Sequence, residues 1–149
     1  MRAEGTFTVA SFVPASVAPP PAAIEVGLPV GTAVLEKVYE GDVSGRSATI
    51  FTSAFDMGTG VGTYVALETF EGRLGERSGG FAYVHSATTT GSDRRNELFV
   101  IVPSSGSASW PASRAAAGWR STRTTHTESG STSTWAESPA TSAARVERS

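Results

Sequence analysis

From about residue 5 to residue 102 apolar and polar positions alternate in short runs, with a period of two. Residues 5–13 (Gly5-Thr6-Phe7-Thr8-Val9-Ala10-Ser11-Phe12-Val13) are rich in β-branched and aromatic side chains, which suit a pleated, half-buried surface. Residues 32–40, 46–55, 62–72, 80–88 and 96–102 read the same way and predict five further strands. Turn signals separate them: Gly41-Asp42, Ser44-Gly45, three glycines within residues 56–62, residues 72–80, and a polar loop over 89–95. Residues 14–29 read as a connection, because Pro19-Pro20-Pro21 offers a ladder no N–H. No segment has a helical period. Short strands with Gly-rich turns predict an all-β fold, an antiparallel β-barrel or sandwich, and sequential hairpins favour an up-and-down arrangement over a Greek key. Six strands are too few, since a small closed barrel needs about eight. The barrel is therefore expected to be incomplete at the C-terminus.

Composition sharpens that expectation, because the chain changes character at about Ser104. Every Phe, Tyr, Ile and Leu lies before it; after it come all three Trp and a single Val, Val146. Residues 1–103 carry seven basic and eleven acidic side chains, and residues 104–149 carry five and three. Neither block has a dense run of one sign, so no nucleic-acid partner is expected. With no cysteine and two histidines (His85, His126), neither a disulfide nor a metal site is expected. No stretch approaches eighteen apolar residues and the N-terminus has no apolar h-region, so no membrane partner is expected and a cytoplasmic location is the default.

The stretch Gly62-Thr63-Tyr64-Val65-Ala66-Leu67-Glu68-Thr69-Phe70-Glu71-Gly72-Arg73-Leu74-Gly75 resembles a bacterial family catalogued as domain of unknown function 3224. Gly79-Gly80-Phe81-Ala82-Tyr83-Val84-His85 and Val102-Pro103-Ser104-Ser105-Gly106-Ser107 extend the match, which covers residues 3–107. The resemblance implies an eight-stranded antiparallel barrel like that of allene oxide cyclase. It also implies that the Pro-x-Ser-Gly-Ser segment leads into Gly-Glu-Leu-x-Gly-Ile, a seventh strand, and then a last strand rich in aromatics.

Here the segment leads instead into Ala108-Ser109-Trp110-Pro111-Ala112-Ser113. Those residues can be encoded GCG AGC TGG CCG GCA TC. With one G restored in front, the letters read GGC GAG CTG GCC GGC ATC, which is Gly-Glu-Leu-Ala-Gly-Ile. Glu128-Ser129-Gly130-Ser131-Thr132 can be encoded GAG TCT GGT TCG AC, and the same shifted frame gives Val-Trp-Phe-Asp, like the family's final strand. A frameshift just after the Ser107 codon is expected. Residues 1–107 then form a truncated barrel of about six strands. Residues 108–149 form a non-native, largely disordered tail, mostly coil with one short helix around 112–117. A Ser/Thr-rich linker is the plainer alternative, since that composition also buries no core.

Strand alternation puts Tyr64, Ala66, Glu68 and Phe70 on one face, and Phe81, Tyr83 and His85 on one face of the next strand. If Gly72 pairs with Gly79, Glu68 lies opposite Tyr83 and Ala66 opposite His85, on a shared aromatic face turned inward. Tyr64, Glu68, Phe70, Phe81, Tyr83 and His85 are therefore candidate ligand-binding residues, for a small, mostly apolar molecule with Glu68 and His85 as polar anchors. A hydrogen-bonded Glu68–His85 pair that only ties strands together, and a solvated face, are the alternatives. An isomerase or cyclase using Glu68 as acid or base is a rival class; a non-catalytic structural or stress protein with a solid interior is another. No catalytic residue or cofactor is assigned, a binder is expected ahead of an enzyme, and the oligomeric state is open, a homodimer included. Arg46, Arg73 and Arg77 are expected to be solvated beside turns. Gly58-Thr59-Gly60-Val61-Gly62 lacks the Lys and helix of a phosphate loop and reads as a plain hairpin turn.

Overall fold

The computed structural model describes residues 2–108, 119–127 and 130–137. These form β1 (Arg2–Ala15), β2 (Val30–Gly41), β3 (Val43–Asp56), β4 (Val61–Leu74), β5 (Arg77–Thr90), β6 (Arg94–Ile101), β7 (Trp119–Thr127) and β8 (Gly130–Glu137), with no helix among the described residues. One antiparallel sheet holds them all, in the order β6-β5-β4-β3-β2-β1-β8-β7. The six expected strands run up-and-down as predicted, the first five longer than the alternation implied. β1 continues into the expected connection, where Pro14 pairs with Ala33. Beyond Phe7 no ladder joins β1 to β8, and a strand paired on one side tolerates a residue without an N–H.

After residue 108 two further strands extend the sheet: β8 pairs with residues 2–7 of β1, and β7 pairs with β8. A ladder is made by backbone groups, so a Thr-rich extended segment can cover an open edge without supplying aliphatic side chains. The helix expected around 112–117 lies outside the described residues. The sheet is not closed into a barrel, in keeping with the incomplete closure expected: among the described residues β6 and β7 come within 8 Å at their Cα atoms, but no ladder joins them.

The sheet nevertheless curls tightly. Tyr39 on β2 and Tyr83 on β5 bring their hydroxyls to 2.8 Å across three strand spacings, a flat distance of about 14 Å. Glycines permit the bend. Gly45, Gly72 and Gly79 lie side by side on β3, β4 and β5. A Cβ on Gly45 would sit 2.2 Å from the Glu71 carbonyl oxygen, and one on Gly72 would sit 2.1 Å from that of Ser44. Over this row packs the core of Tyr39, Val43, Phe70, Leu74, Phe81, Tyr83 and Ile101. Phe70 meets Tyr39 edge-on at 5.4 Å and Phe81 at 5.2 Å. Glycine in a strand interior, overlaid by an aromatic ring, is how a sheet turns a barrel corner.

Two motifs singled out in the sequence have structural roles. Ser105 and Ser107 continue the pairing after β6 ends: the Ala82 N–H donates to Ser105 Oγ and the Gly80 N–H to Ser107 Oγ, each at 3.0 Å. The glycine-rich run is a hairpin turn, in which Asp56 accepts from the Gly58 N–H at 2.9 Å and the Thr59 hydroxyl at 2.7 Å. The Thr59 bond, with Gly58 beside it, holds the Asp56 carboxyl below its ordinary value. Arg46 lies within β3 rather than beside a turn, and forms an exposed pair with Glu71 at 3.2 Å.

Candidate functional site: a buried carboxylate on the inner face

Because Cβ atoms alternate along each strand, the registers stack the inner face into rows. Leu35, Thr49, Glu68, Tyr83 and Ile101 form one row across β2 to β6. On the glycine side the next row is Lys37, Ser47, Phe70 and Phe81; on the other side it is Ala33, Phe51, Ala66, His85 and Phe99. Gly72 does pair with Gly79, Glu68 with Tyr83 and Ala66 with His85, so the hairpin register is the one the turn implied.

Glu68 is 0% exposed and accepts hydrogen bonds from five side chains on three other strands. Oε1 takes the hydroxyls of Tyr39 at 2.6 Å, Ser47 at 2.7 Å and Tyr83. Oε2 takes Lys37 Nζ at 2.6 Å and His85 Nε2 at 3.1 Å. Lys37 is itself buried, its ammonium 5.0 Å from the centre of the Phe7 ring. A buried charge persists only when paired and fully hydrogen-bonded, and a carboxylate has about four lone-pair positions to fill. These are filled.

Burial works to raise the Glu68 pKa, but the His85 hydrogen bond and the Lys37 charge outweigh it and hold the carboxyl well below its ordinary range. The phenols move the other way. Burial first, then the Glu68 charge, pushes Tyr39 up; burial, then Tyr39 and Glu68, pushes Tyr83 up. An ionised carboxylate is thus caged by neutral phenols, an ammonium and an imidazole. Its lone pairs are taken up by five donors.

The inner face beyond the Glu68 row is looser. Tyr64 stacks on Phe51 at 5.3 Å, meets His85 edge-on at 5.5 Å and accepts a 3.3 Å hydrogen bond from Arg94. Burial raises its phenol pKa. Phe12, whose ring approaches Phe51 at 6.2 Å, is 57% exposed although it lies on the inner face. Thr49 is 1% exposed, and its Oγ1 has no hydrogen-bond partner among the described residues.

Of the six predicted site residues, the structure brings Glu68, Tyr83 and His85 into contact and sets Tyr64 against His85. Phe70 and Phe81 sit in the packed core on the far side of Glu68. A groove of about 450 Å³ elsewhere, lined by Ala10, Glu36, Val38, Ala48, Thr69 and Glu71 among others, opens on the outer face; of the six only Phe70 borders it. Sequence reasoning missed Lys37, Tyr39 and Ser47. For Lys37 a signal existed: it shares the parity of Ala33, Leu35 and Tyr39, so a lysine interrupts a stripe of core positions. Among the described residues no three His, Cys, Asp or Glu side chains are grouped to hold a metal ion, and no helix is long and apolar enough to cross a membrane.

A single curled antiparallel sheet with a caged carboxylate on its inner face defines the class of protein. The chain belongs to the protein family of unknown function DUF3224, whose profile matches residues 3–110. It is similar to a crystal structure of a protein of unknown function from that family from Shewanella oneidensis MR-1, with 25% identity and a TM-score of 0.72. That likeness covers 94% of this chain and 98% of the other. No curated protein matches the chain.

Proposed function

We propose that the protein binds a small, mostly apolar molecule at the open end of the inner face, with the Glu68 cluster as the floor. The curled sheet is read as an allene oxide cyclase-like barrel left open between β6 and β7. The observation that carries the reading is Thr49, a fully buried hydroxyl without a partner among the described residues. A buried polar atom left unsatisfied costs about 1–3 kcal/mol, so a group supplied by a bound molecule is the economical explanation. The diagonal neighbours of Thr49 on the inner face, Ala33 and Ala66, are small, and Phe51 and Tyr64 stand beyond them towards the open end. Apolar walls with a few polar groups are the usual make-up of a small-molecule site.

Mass spectrometry of molecules released from the purified chain tests this, with Thr49→Val as the diagnostic variant. Retention of the released species is expected to fall about tenfold while the melting temperature holds or rises, because no internal hydrogen bond is lost. A lowered melting temperature with the same species retained would give Thr49 an internal role and remove the reading. The isomerase or cyclase alternative asks Glu68 to exchange a proton, and its five donors speak against that.

The family match also supports the proposal that the coding sequence lost one nucleotide just after the Ser107 codon. The match stops at residue 110, beside the compositional break, while the family's Gly-Glu-Leu-x-Gly-Ile remains readable in the neighbouring frame. Sequencing the gene tests it. An intact coding region with no family-like second frame would remove the idea; the lost nucleotide, once restored, should yield a closing strand after Ser107.

A further inference from the structure

The rim of the open end carries an arginine that no carboxylate neutralises. The registers place Thr89 opposite both Gly62 and Arg94, so Arg94 stands on the inner face one row beyond Tyr64. It is partly buried, with its guanidinium carbon 5.6 Å from the centre of the Tyr64 ring and Nη1 donating to the Tyr64 hydroxyl at 3.3 Å. Among the described residues it forms no ion pair. The neighbouring Asp93 is taken by Arg95, and Glu97, whose charge reaches Tyr64, does not pair with Arg94.

The other arginines make this unusual. Arg46 and Arg95 are far more exposed, where water already serves a guanidinium, yet each pairs with a carboxylate, at 3.2 and 2.9 Å. Arg94 has less water around it and only a neutral phenol beside it. A partly desolvated cation is stabilised most by an anion that supplies its own acceptors. Tyr64 adds a donor. Burial raises its pKa, so the phenol keeps its proton near neutral pH, and among the described residues that proton has no acceptor. A planar carboxylate matches the fork of a guanidinium and can accept the phenol proton as well.

The walls indicate the rest of the molecule. Phe51 stacks on Tyr64, His85 meets Tyr64 edge-on, and Phe55, on the same row as Arg94, keeps 39% of its surface exposed. Such rings take further rings stacked or edge-on. Thr49 faces Glu68, four residues along β4 from Tyr64, which is about 14 Å along the strand. A molecule that meets both therefore carries its acid at the end away from Thr49. We infer that the molecule bound at the open end is an aromatic carboxylate, its acid held by Arg94 and the Tyr64 hydroxyl at the rim and its rings turned inward. This rests on the binding site proposed above and adds the charge of what it takes.

Isothermal titration calorimetry of the full chain with α-naphthaleneacetate and its neutral analogue α-naphthaleneacetamide separates the charge from the site. Near neutral pH the acid should bind about tenfold more tightly than the amide, the size of one charge-assisted pair. Arg94→Gln should bring the two affinities together, Arg94→Lys should restore part of the gap, and Arg95→Gln should leave it intact. Equal affinities in the unaltered chain, a gap that survives Arg94→Gln, or one that Arg95→Gln closes equally would overturn the inference and leave a site for neutral ligands standing. Binding of neither probe would remove the site, and the inference with it.

Discussion

The two ends of the inner face obey the same alternation and arrive at opposite states. On the glycine side of Glu68, Tyr39, Phe70, Leu74 and Phe81 are buried against one another, with ring centres 5–6 Å apart. On the other side Phe12 and Phe55 remain substantially exposed although their parity also points them inward. What differs is the backbone beneath. The Gly45–Gly72–Gly79 row lets three strands close on one another, so the rings above have neighbours in every direction. The open end has no such row across β3 to β5: Ser53, Tyr64 and Ala87 occupy the corresponding place. Between the ends lies Glu68, whose donors come from both sides. Lys37 and Ser47 reach it from the closed end and His85 from the open one.

The sharpest way to break this arrangement is to remove the boundary. Glu68→Ala leaves a buried Lys37 ammonium with no carboxylate, and should cost about 3–5 kcal/mol in chemical denaturation. The double variant Lys37→Met/Glu68→Leu removes both charges and should recover most of that loss. A double variant as unstable as the single one would mean that packing, not the unpaired charge, sets the cost. Next in size, Phe70→Ala at the closed end should cost about 3–5 kcal/mol, whereas Phe12→Ala at the open end should cost under about 1 kcal/mol. Equal losses would erase the distinction between the ends. Gly45→Ala tests the cause of the closure. With φ at +147° and a Cβ driven against the Glu71 carbonyl, about 2 kcal/mol or more should be lost.

The smallest effect is in the pH profile. Glu68 has a folded pKa below its ordinary 4.5, so its contribution is complete above that value and drains away as pH falls toward the folded pKa. Tyr39 and Tyr83 have folded pKa values above the ordinary 10.0. Their contribution is complete below 10.0 and is lost above it, as the unfolded chain ionises first. Thermal unfolding across pH should therefore show a plateau between these limits. The acid limb should flatten in Lys37→Met/Glu68→Leu, and a limb that stays as steep would place the titration elsewhere.

Much of this was legible in advance, and the residues show why. Period-two alternation located six strands, because side chains on a pleated strand must alternate whatever surrounds them. The glycines at 72 and 79 bracketed one hairpin, and a hairpin's register follows from its turn, so Glu68, Tyr83 and His85 could be brought together without a structure. Lys37, Tyr39 and Ser47 were not found that way. They reach Glu68 from β2 and β3, and how closely those strands approach β4 and β5 depends on the curl of the whole sheet. The pairing of β8 with β1 was out of reach for a related reason: it runs through backbone groups that every residue carries, which leave no mark in the side-chain pattern.

By itself, then, the sequence determined which side chains share a face, since that follows from local geometry and one turn. Only the tertiary structure decided which of those side chains are enclosed. Enclosure depends on curvature accumulated over many strands, and on the few glycines that allow neighbouring backbones to close over one end and not the other.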